Sequence, residues 1–380
     1  MKILHVLTLV DDDSSYGGPV TVALGQCQEL IRQGHQAEIA AGWREHRPPP
    51  TELESVPAHL FPVLRALPSP RFTGLLSRRL LQWLHEQAED YDVVHIHLAR
   101  DLIPLVAARY LSARGRPFVV QTHGMIIADP RRSIAALDRL LTIRALKAAH
   151  HRLVLTEVEA DAVREVAGPR AKLTILSNGV ALPDGLVAQE PAEADVLFLA
   201  RLHPRKRVMD FAQAAATLIQ EGVQARFSVV GPDDGDLPAL RAFIKDRPAL
   251  QGRLVYEGSL PHPAALERIG RCSIFVLSAV NEPFAMTMLE AMMMARPAIC
   301  NDTSVLAPRL SRSGAVRAVR PGVGHLAEAI RELLDNPSER RALGTRAREL
   351  AISTFSLGAV VEQLTRLYTP LAKELHGSVR

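Results

Sequence analysis

The sequence predicts an α/β chain of two domains, each built on a parallel sheet with helices on both faces. Short β-rich runs alternate with amphipathic helical stretches along nearly the whole chain. Parallel sheets produce this pattern, because each crossover between parallel strands needs a helix-length connection. The length, 380 residues, exceeds what one core normally organises and suits two domains of about 150–200 residues each.

In the first half, strands are expected at Ile3–Leu9, Ala37–Ala40, Val93–Leu98, Phe118–Thr122, Leu153–Leu155 and Lys172–Leu176. A helix from about Pro19 to Arg32 is closed by Gly34, a residue suited to the left-handed position past a helix end. Further helices are expected over Ser69–Glu89 and Arg131–Ala149, the latter carrying Arg131, Arg132, Arg139, Arg144 and Lys147. Pro183, Asp184, Gly185 and the acidic stretch to Glu193 read as a linker.

The pattern then restarts with strands at Val196–Ala200, Arg226–Val230, Leu254–Tyr256, Ile274–Leu277, Pro297–Cys300 and Ala315–Val319. Helices are expected near Val208–Glu221, Leu237–Lys245, Pro263–Ile269 and Thr287–Met294, with a helical tail from Gly324. No sequence repeat links the halves, but the architecture repeats.

Composition narrows the function. The hydrophobic fraction of 47% and charged fraction of 23% are those of a globular protein. No apolar run approaches the roughly 20 residues that span a bilayer, and Lys2–Val10 reads as a buried strand, so a cytoplasmic location is expected. Cys27, Cys272 and Cys300 have neither the number nor the spacing of a disulfide framework or zinc knuckle. A net charge of +4 and an isoelectric point of about 9.1 favour anionic partners such as nucleotide diphosphates or acidic lipids. No basic stripe interleaved with aromatics supports nucleic-acid binding.

Chemistry concentrates at expected strand ends. After Ile274–Leu277 comes a loop holding Glu282, and then a helix carrying Glu290. A helix amino terminus there offers N–H groups and partial positive charge to a phosphate; Glu290 can reach a ribose diol and Glu282 sugar hydroxyls. Taken singly, the two glutamates equally fit a helix-start carboxylate and a solvated face. Arg201 and Lys206 follow Val196–Ala200 and suit a diphosphate, although a basic surface loop has the same composition. Gly17-Gly18 opens the first helix and permits close approach of backbone to phosphate or sugar, or a simple turn. His123, in Thr122-His123-Gly124, can donate to a sugar oxygen or phosphate, or stand on the rim without a role. His95 and His97 are expected to point to opposite faces of their strand and so not to share a metal; Met292, Met293 and Met294 are expected to pack a helix on the sheet.

Together these residues resemble glycosyltransferase family 4, the retaining enzymes of the GT-B fold, over nearly the whole chain. The resemblance rests on Gly17-Gly18, Gly34-His35, Asp92–His97, His123-Gly124, Ser177–Val180, Arg201 with Lys206, Val229–Gly231, Tyr256–Gly258 and the pair Glu282/Glu290. It implies two Rossmann-like domains facing each other across a cleft: residues 1–185 binding the acceptor, residues 186–355 binding a nucleotide sugar, and a helix over 356–380 packing back on the first domain.

It further implies that Arg201 and Lys206 hold the donor diphosphate and stabilise its departure, and that Glu290 binds ribose. Glu282 would contact the sugar, and the amides near Phe284 and Ala285 would meet sugar or phosphate oxygens. His123 would sit near the donor sugar across the cleft, Gly17-Gly18 would border the phosphates or the acceptor, and Glu257 joins the donor-binding set. The donor is expected to be UDP- or GDP-linked, with no metal and no cofactor. The acceptor hydroxyl would belong to a glycan, a glycolipid or a small molecule. Basic residues including Arg71, Arg78 and Arg79 allow peripheral contact with the inner face of an anionic membrane.

Three departures from the family pattern stand out. Ala285 and Ala295 replace glycines, and Asp302–Pro308 replaces a G-G-x-x-E loop. The last departure keeps a degenerate, non-catalytic nucleotide-sugar binder open as an alternative, beside a nucleotide-sugar epimerase of the same fold.

Overall fold

The computed structural model describes residues 1–10, 17–45, 47–66, 74–181 and 191–377. The chain divides into two units, one of Met1–Gly179 with Leu357–Arg380 and the other of Val180–Ser356. The linker boundary expected at residue 185, and Arg71, lie outside the described residues.

The first unit opens with β1 (Lys2–Val10), whose Ile3, Leu4, Val6 and Leu7 are buried on both faces, as a central parallel strand requires. Then follows α1 (Gly17–Arg32). It ends where Gly34 takes φ +84°, its N–H on the Ile31 carbonyl and that of His35 on the Leu30 carbonyl. Next come β2 (Gln36–Trp43), β3 (Glu52–Leu53), β4 (Val56–Pro62), β5 (Leu64–Arg65), β6 (Leu75–Leu76) and α2 (Arg78–Gln87). The unit continues with β7 (Val93–His97), α3 (Leu102–Ala113), β8 (Phe118–Gln121), α4 (Arg132–Leu137), α5 (Ile143–Ala148), β9 (His151–Val154), α6 (Glu157–Ala167) and β10 (Thr174–Ile175). Eight strands form one sheet in the order β10-β9-β8-β7-β1-β2-β4-β3, parallel except where β3 meets β4.

Two expected helices are altered. Leu75 and Leu76 are drawn into a strand pair with Leu64 and Arg65, so the helix expected from Ser69 begins only at Arg78. Ser77 caps it, accepting from the Leu80 N–H and donating to the Pro62 carbonyl. The helix expected over Arg131–Ala149 is split into α4 and α5 by a wide turn at Asp138–Thr142. Both oxygens of buried Asp138 accept there from Arg100 at 2.8 Å.

The second unit comprises β11 (Asp195–Leu199), α7 (Val208–Gln220), β12 (Arg226–Val230), α8 (Leu237–Lys245), β13 (Leu254–Gly258), α9 (His262–Gly270) and β14 (Ile274–Leu277). It is completed by α10 (Met286–Met293), β15 (Ala298–Asn301), α11 (Ala307–Arg312), β16 (Arg317–Val319), α12 (Val323–Asp335) and α13 (Pro337–Leu350). Its six strands are all parallel, in the order β13-β12-β11-β14-β15-β16. Met292 and Met293 on α10, and Met294 at its cap, lie in this unit's core, as expected.

The chain returns to the first unit as α14 (Leu357–Gly377). Val360, Val361, Leu364, Tyr368 and Leu371 join Ile3, Leu7, Ile39 and Val93 in one buried cluster. Gly179 makes this seat possible, because a Cβ there would lie 2.8 Å from the Leu357 Cα.

Both sheets reverse their strand order once, between β1 and β7 and between β11 and β14. Such reversals open a crevice at the carboxyl ends of the strands. The backbone around the second one is tight. Gly231, at the end of β12, has φ +144°, and a Cβ there would stand 1.9 Å from the Ala200 carbonyl oxygen. Gly231→Ala is therefore expected to cost about 3 kcal/mol or more in denaturant unfolding. Gly324→Ala, where an added Cβ meets nothing within 4 Å, should be neutral or stabilising by up to about 1 kcal/mol. Equal effects at the two sites would contradict this packing.

Candidate active site

In the second unit, the loops after β11, β14 and β15 are tied to one another. The Ser278 hydroxyl donates to the carbonyls of Lys206 (3.1 Å) and Arg207 (3.0 Å), and the Val280 N–H to that of Arg205 (3.1 Å). Asn301, at the end of β15, donates through its amide to the Ser278 carbonyl at 2.5 Å, and the Val305 N–H reaches the Glu282 carbonyl at 3.0 Å. The frame includes residues with left-handed φ, namely Arg207 (54°) and Asn281 (51°). Non-glycine residues persist in that region only where their surroundings hold them.

Within this frame the Lys206 ammonium meets the Glu282 carboxylate at 2.6 Å, with side chains 14% and 7% exposed. Arg205 approaches the same carboxylate at 3.9 Å. Arg201 is more open, 63% exposed, and pairs with Asp234 at 2.8 Å. Phe284 and Ala285 precede α10, with Ala285 at its cap and the Phe284 ring edge-on to Phe355. Ala285 has φ −87°, so the alanine that replaces the family's glycine needs no left-handed backbone. Ala295, by contrast, holds φ 54°. The structure thus brings Lys206, Glu282, Phe284 and Ala285 to the point of strand reversal, with Arg201 on the loop after β11.

Glu290 is buried on α10 and accepts from His262 at 2.9 Å. That carboxylate raises the His262 pKa. His262, at the start of α9, carried no signal in the sequence beyond its flanking prolines.

Glu257 departs from the expectation. Its two oxygens are taken by Arg268 (2.7 and 3.1 Å) and Arg226 (3.0 Å), and Arg268 also grips Asp195. Arg226 and Asp195 open β12 and β11, so this network belongs to the amino ends of the strands, opposite the carboxyl rim. Hydrogen bonds from Arg268 hold the Glu257 carboxyl below its usual range despite burial.

In the first unit, Gly17 and Gly18 begin α1, and an added Cβ at Gly18 would meet nothing within 4 Å. His123 follows β8 in the left-handed region, φ 52°. Glu159 of α6 holds this turn, accepting from the Thr122 hydroxyl, the Gly124 N–H and the Leu155 N–H.

The expectation that His95 and His97 face opposite ways is wrong. Residues two apart on a strand share a face, and the two rings stack with centroids 4.7 Å apart. His5 joins them from the neighbouring strand, in register with His95. Hydrogen bonds link His97 Nδ1 with His123 Nε2 (2.7 Å) and His97 Nε2 with His5 Nδ1 (3.0 Å), while His95 Nδ1 meets the Tyr368 hydroxyl at 2.6 Å. Burial lowers all four pKa values, to about 3 for His5 and His123 and well below the ordinary value for His95 and His97.

Neutral buried histidines make the first unit acid-sensitive. A folded pKa below the unfolded one contributes stability that is complete above the unfolded value near 6.5 and is lost as pH falls toward the folded values. The unfolding free energy should therefore fall steadily between pH 6.5 and 4, by about 1.4 kcal/mol per pH unit for each histidine that remains neutral. Urea titrations across this range, followed by far-ultraviolet circular dichroism, measure it; a flat profile would contradict the assignment.

The geometry has counterparts in known proteins. Residues 16–182 match the domain described as Glycosyltransferase Family 4, and residues 193–336 the domain described as Glycosyl transferases group 1. Alpha-D-kanosaminyltransferase of Streptomyces kanamyceticus is 29% identical over 175 residues, 46% of this chain and 45% of that one, so the match spans less than half of that relative. The 2-deoxystreptamine N-acetyl-D-glucosaminyltransferase of Niallia circulans is 22% identical over 315 residues, 77% of this chain and 80% of its own. HepE of Anabaena, solved in complex with UDP, has the same fold, with a TM-score of 0.71 at 18% identity over 97% of this chain and 100% of that one. Two family domains in tandem, on two parallel sheets of the GT-B type, cover most of the sequence: the chain belongs to glycosyltransferase family 4.

Proposed function

We propose that the protein is a retaining, metal-independent glycosyltransferase that moves a sugar from a UDP- or GDP-linked donor to a hydroxyl of a small, hydroxyl-rich acceptor. The observation that carries this reading is the meeting of Lys206, Glu282 and the amino end of α10 at the strand reversal between β11 and β14. A diphosphate leaving group gains charge as its bond to the sugar breaks, and fixed cations plus helix amides stabilise that charge where it develops. In this reading Arg201 and Lys206 supply the positive charge that a metal ion provides in other transferases. Glu290 takes the ribose hydroxyls in place of His262, and Glu282 takes sugar hydroxyls while sharing Lys206 with the phosphates. His123 of the first unit donates to a sugar oxygen.

In the transfer, the bond from the anomeric carbon to the phosphate oxygen breaks as the acceptor oxygen attacks on the same face. The acceptor proton passes to the departing phosphate, so no protein nucleophile is required. UDP bound to HepE supports a uridine donor, and the 2-deoxystreptamine in the name of the Niallia relative supports a small cyclic polyol as acceptor. No helix among the described residues is long and apolar enough to cross a membrane.

A thermal-shift panel of UDP-, GDP-, ADP- and dTDP-sugars, run with and without EDTA, tests the donor site. One nucleotide class should raise the melting temperature equally in both conditions, and Arg201→Ala and Glu290→Ala should each remove most of the shift. Slow release of nucleoside diphosphate without acceptor should fall about 100-fold or more in Lys206→Ala. Stabilisation by none of the sugars, or shifts unchanged in both variants, would contradict the assignment.

A further inference from the structure

The four clustered histidines of the first unit admit two uses, a metal site or a hydrogen-bonded relay. Ligand atoms of His5, His95 and His97 lie within 4.8 Å of one another, but a metal requires lone pairs that converge. An imidazole lone pair lies in the ring plane. The stacked rings of His95 and His97, 9° from parallel, keep theirs in separate, nearly parallel planes, so one ring must turn before both can reach one ion. Both nitrogens of His97 are also already engaged, with His123 on one side and His5 on the other.

The relay can be polarised in two ways. In one, His123 Nε2–H donates to His97 and His97 to His5, which leaves a hydrogen on His5 Nε2. That atom is buried without a hydrogen-bond partner, and an orphaned N–H in the interior is rare and costly. In the other, His5 Nδ1–H donates to His97 Nε2, and His97 Nδ1–H donates to His123 Nε2. The unpaired hydrogen then falls on His123 Nδ1, and His123 is the half-buried member of the series. The hydrogen bond at one ring nitrogen decides which nitrogen carries the proton.

We propose that His97 and His5 are positioning residues that fix His123 as the Nδ1–H tautomer, presenting a hydrogen donor to a substrate oxygen at the rim of the first sheet. Glu159 sets the backbone of the Thr122–Gly124 turn, and the histidine pair sets the ring and its proton. The role of this donor rests on the reading of His123 as a sugar contact; the tautomer itself does not.

Nitrogen-15 and carbon-13 spectra of the full chain, labelled in histidine, read the tautomer directly. His123 should show a protonated Nδ1 and a pyridine-type Nε2 in the wild type. His97→Asn, whose amide can still donate to His123, should keep that signature. His97→Leu should move His123 toward the Nε2–H form that free imidazoles favour. A protonated Nε2 in the wild type overturns the proposal even if His97→Leu does not fold, and so does a His97→Leu spectrum with an unchanged His123. Zinc-induced shifts of His5, His95 and His97 together would establish the metal site instead. If His123 is the Nδ1–H form but no nucleotide sugar perturbs it, the positioning stands and its assignment as a sugar contact fails.

Discussion

The candidate donor site depends on one constraint, the stitching of three loops where the second sheet reverses direction. Ser278 and Val280 fasten the loop after β14 to the carbonyls of residues 205–207, and Asn301 fastens β15 to that same loop. A cation and a carboxylate can therefore stand 2.6 Å apart with little exposure, because each backbone is held by the other's. A buried pair gains little net stability, since desolvation offsets the attraction. In the proposed reading the arrangement gains position, since a charged site fixed before a leaving group departs works without reorganising during the reaction.

The two units place their polar groups differently. In the second unit, cations and carboxylates gather at the carboxyl rim, while a separate ionic network of Asp195, Arg268, Glu257 and Arg226 braces the opposite end. In the first, the polar interior is a file of neutral imidazoles that reaches from Tyr368 on α14 and His5 on β1 to His123 at the rim. In the proposed reading, the first arrangement meets a charged diphosphate and the second directs a neutral hydrogen bond.

Much of this was legible in the sequence, for identifiable reasons. The continuous apolar runs of the central strands and the terminal glycine of α1 place the sheets, and Arg201, Lys206 and Glu282 follow strand ends, where parallel sheets bind ligands, with Glu290 on the next helix. Strands β3 to β6 are not legible, although Val56, Ala58 and Leu60 alternate at strand period, because Pro57 and Pro62 argue against a strand at β4 and the other three are 2 residues each. Glu257 sits beside the rim in sequence, but two arginines pull its side chain toward the other end of the sheet, a long-range effect invisible to local pattern. The histidine file was within reach. The period of two puts His95 and His97 on one face, and only the pairing with β1, which brings His5 alongside, needed the structure.

In the proposed reading, the second unit holds a nucleotide diphosphate at its strand reversal. A crystal structure with bound UDP or GDP tests it most directly. Phosphate oxygens are expected within hydrogen-bond distance of Lys206 Nζ, the Arg201 guanidinium and the first amides of α10, with the ribose hydroxyls on Glu290 and His262 displaced from it. A nucleotide seated elsewhere, with the Lys206–Glu282 and His262–Glu290 pairs untouched, would rule this donor site out.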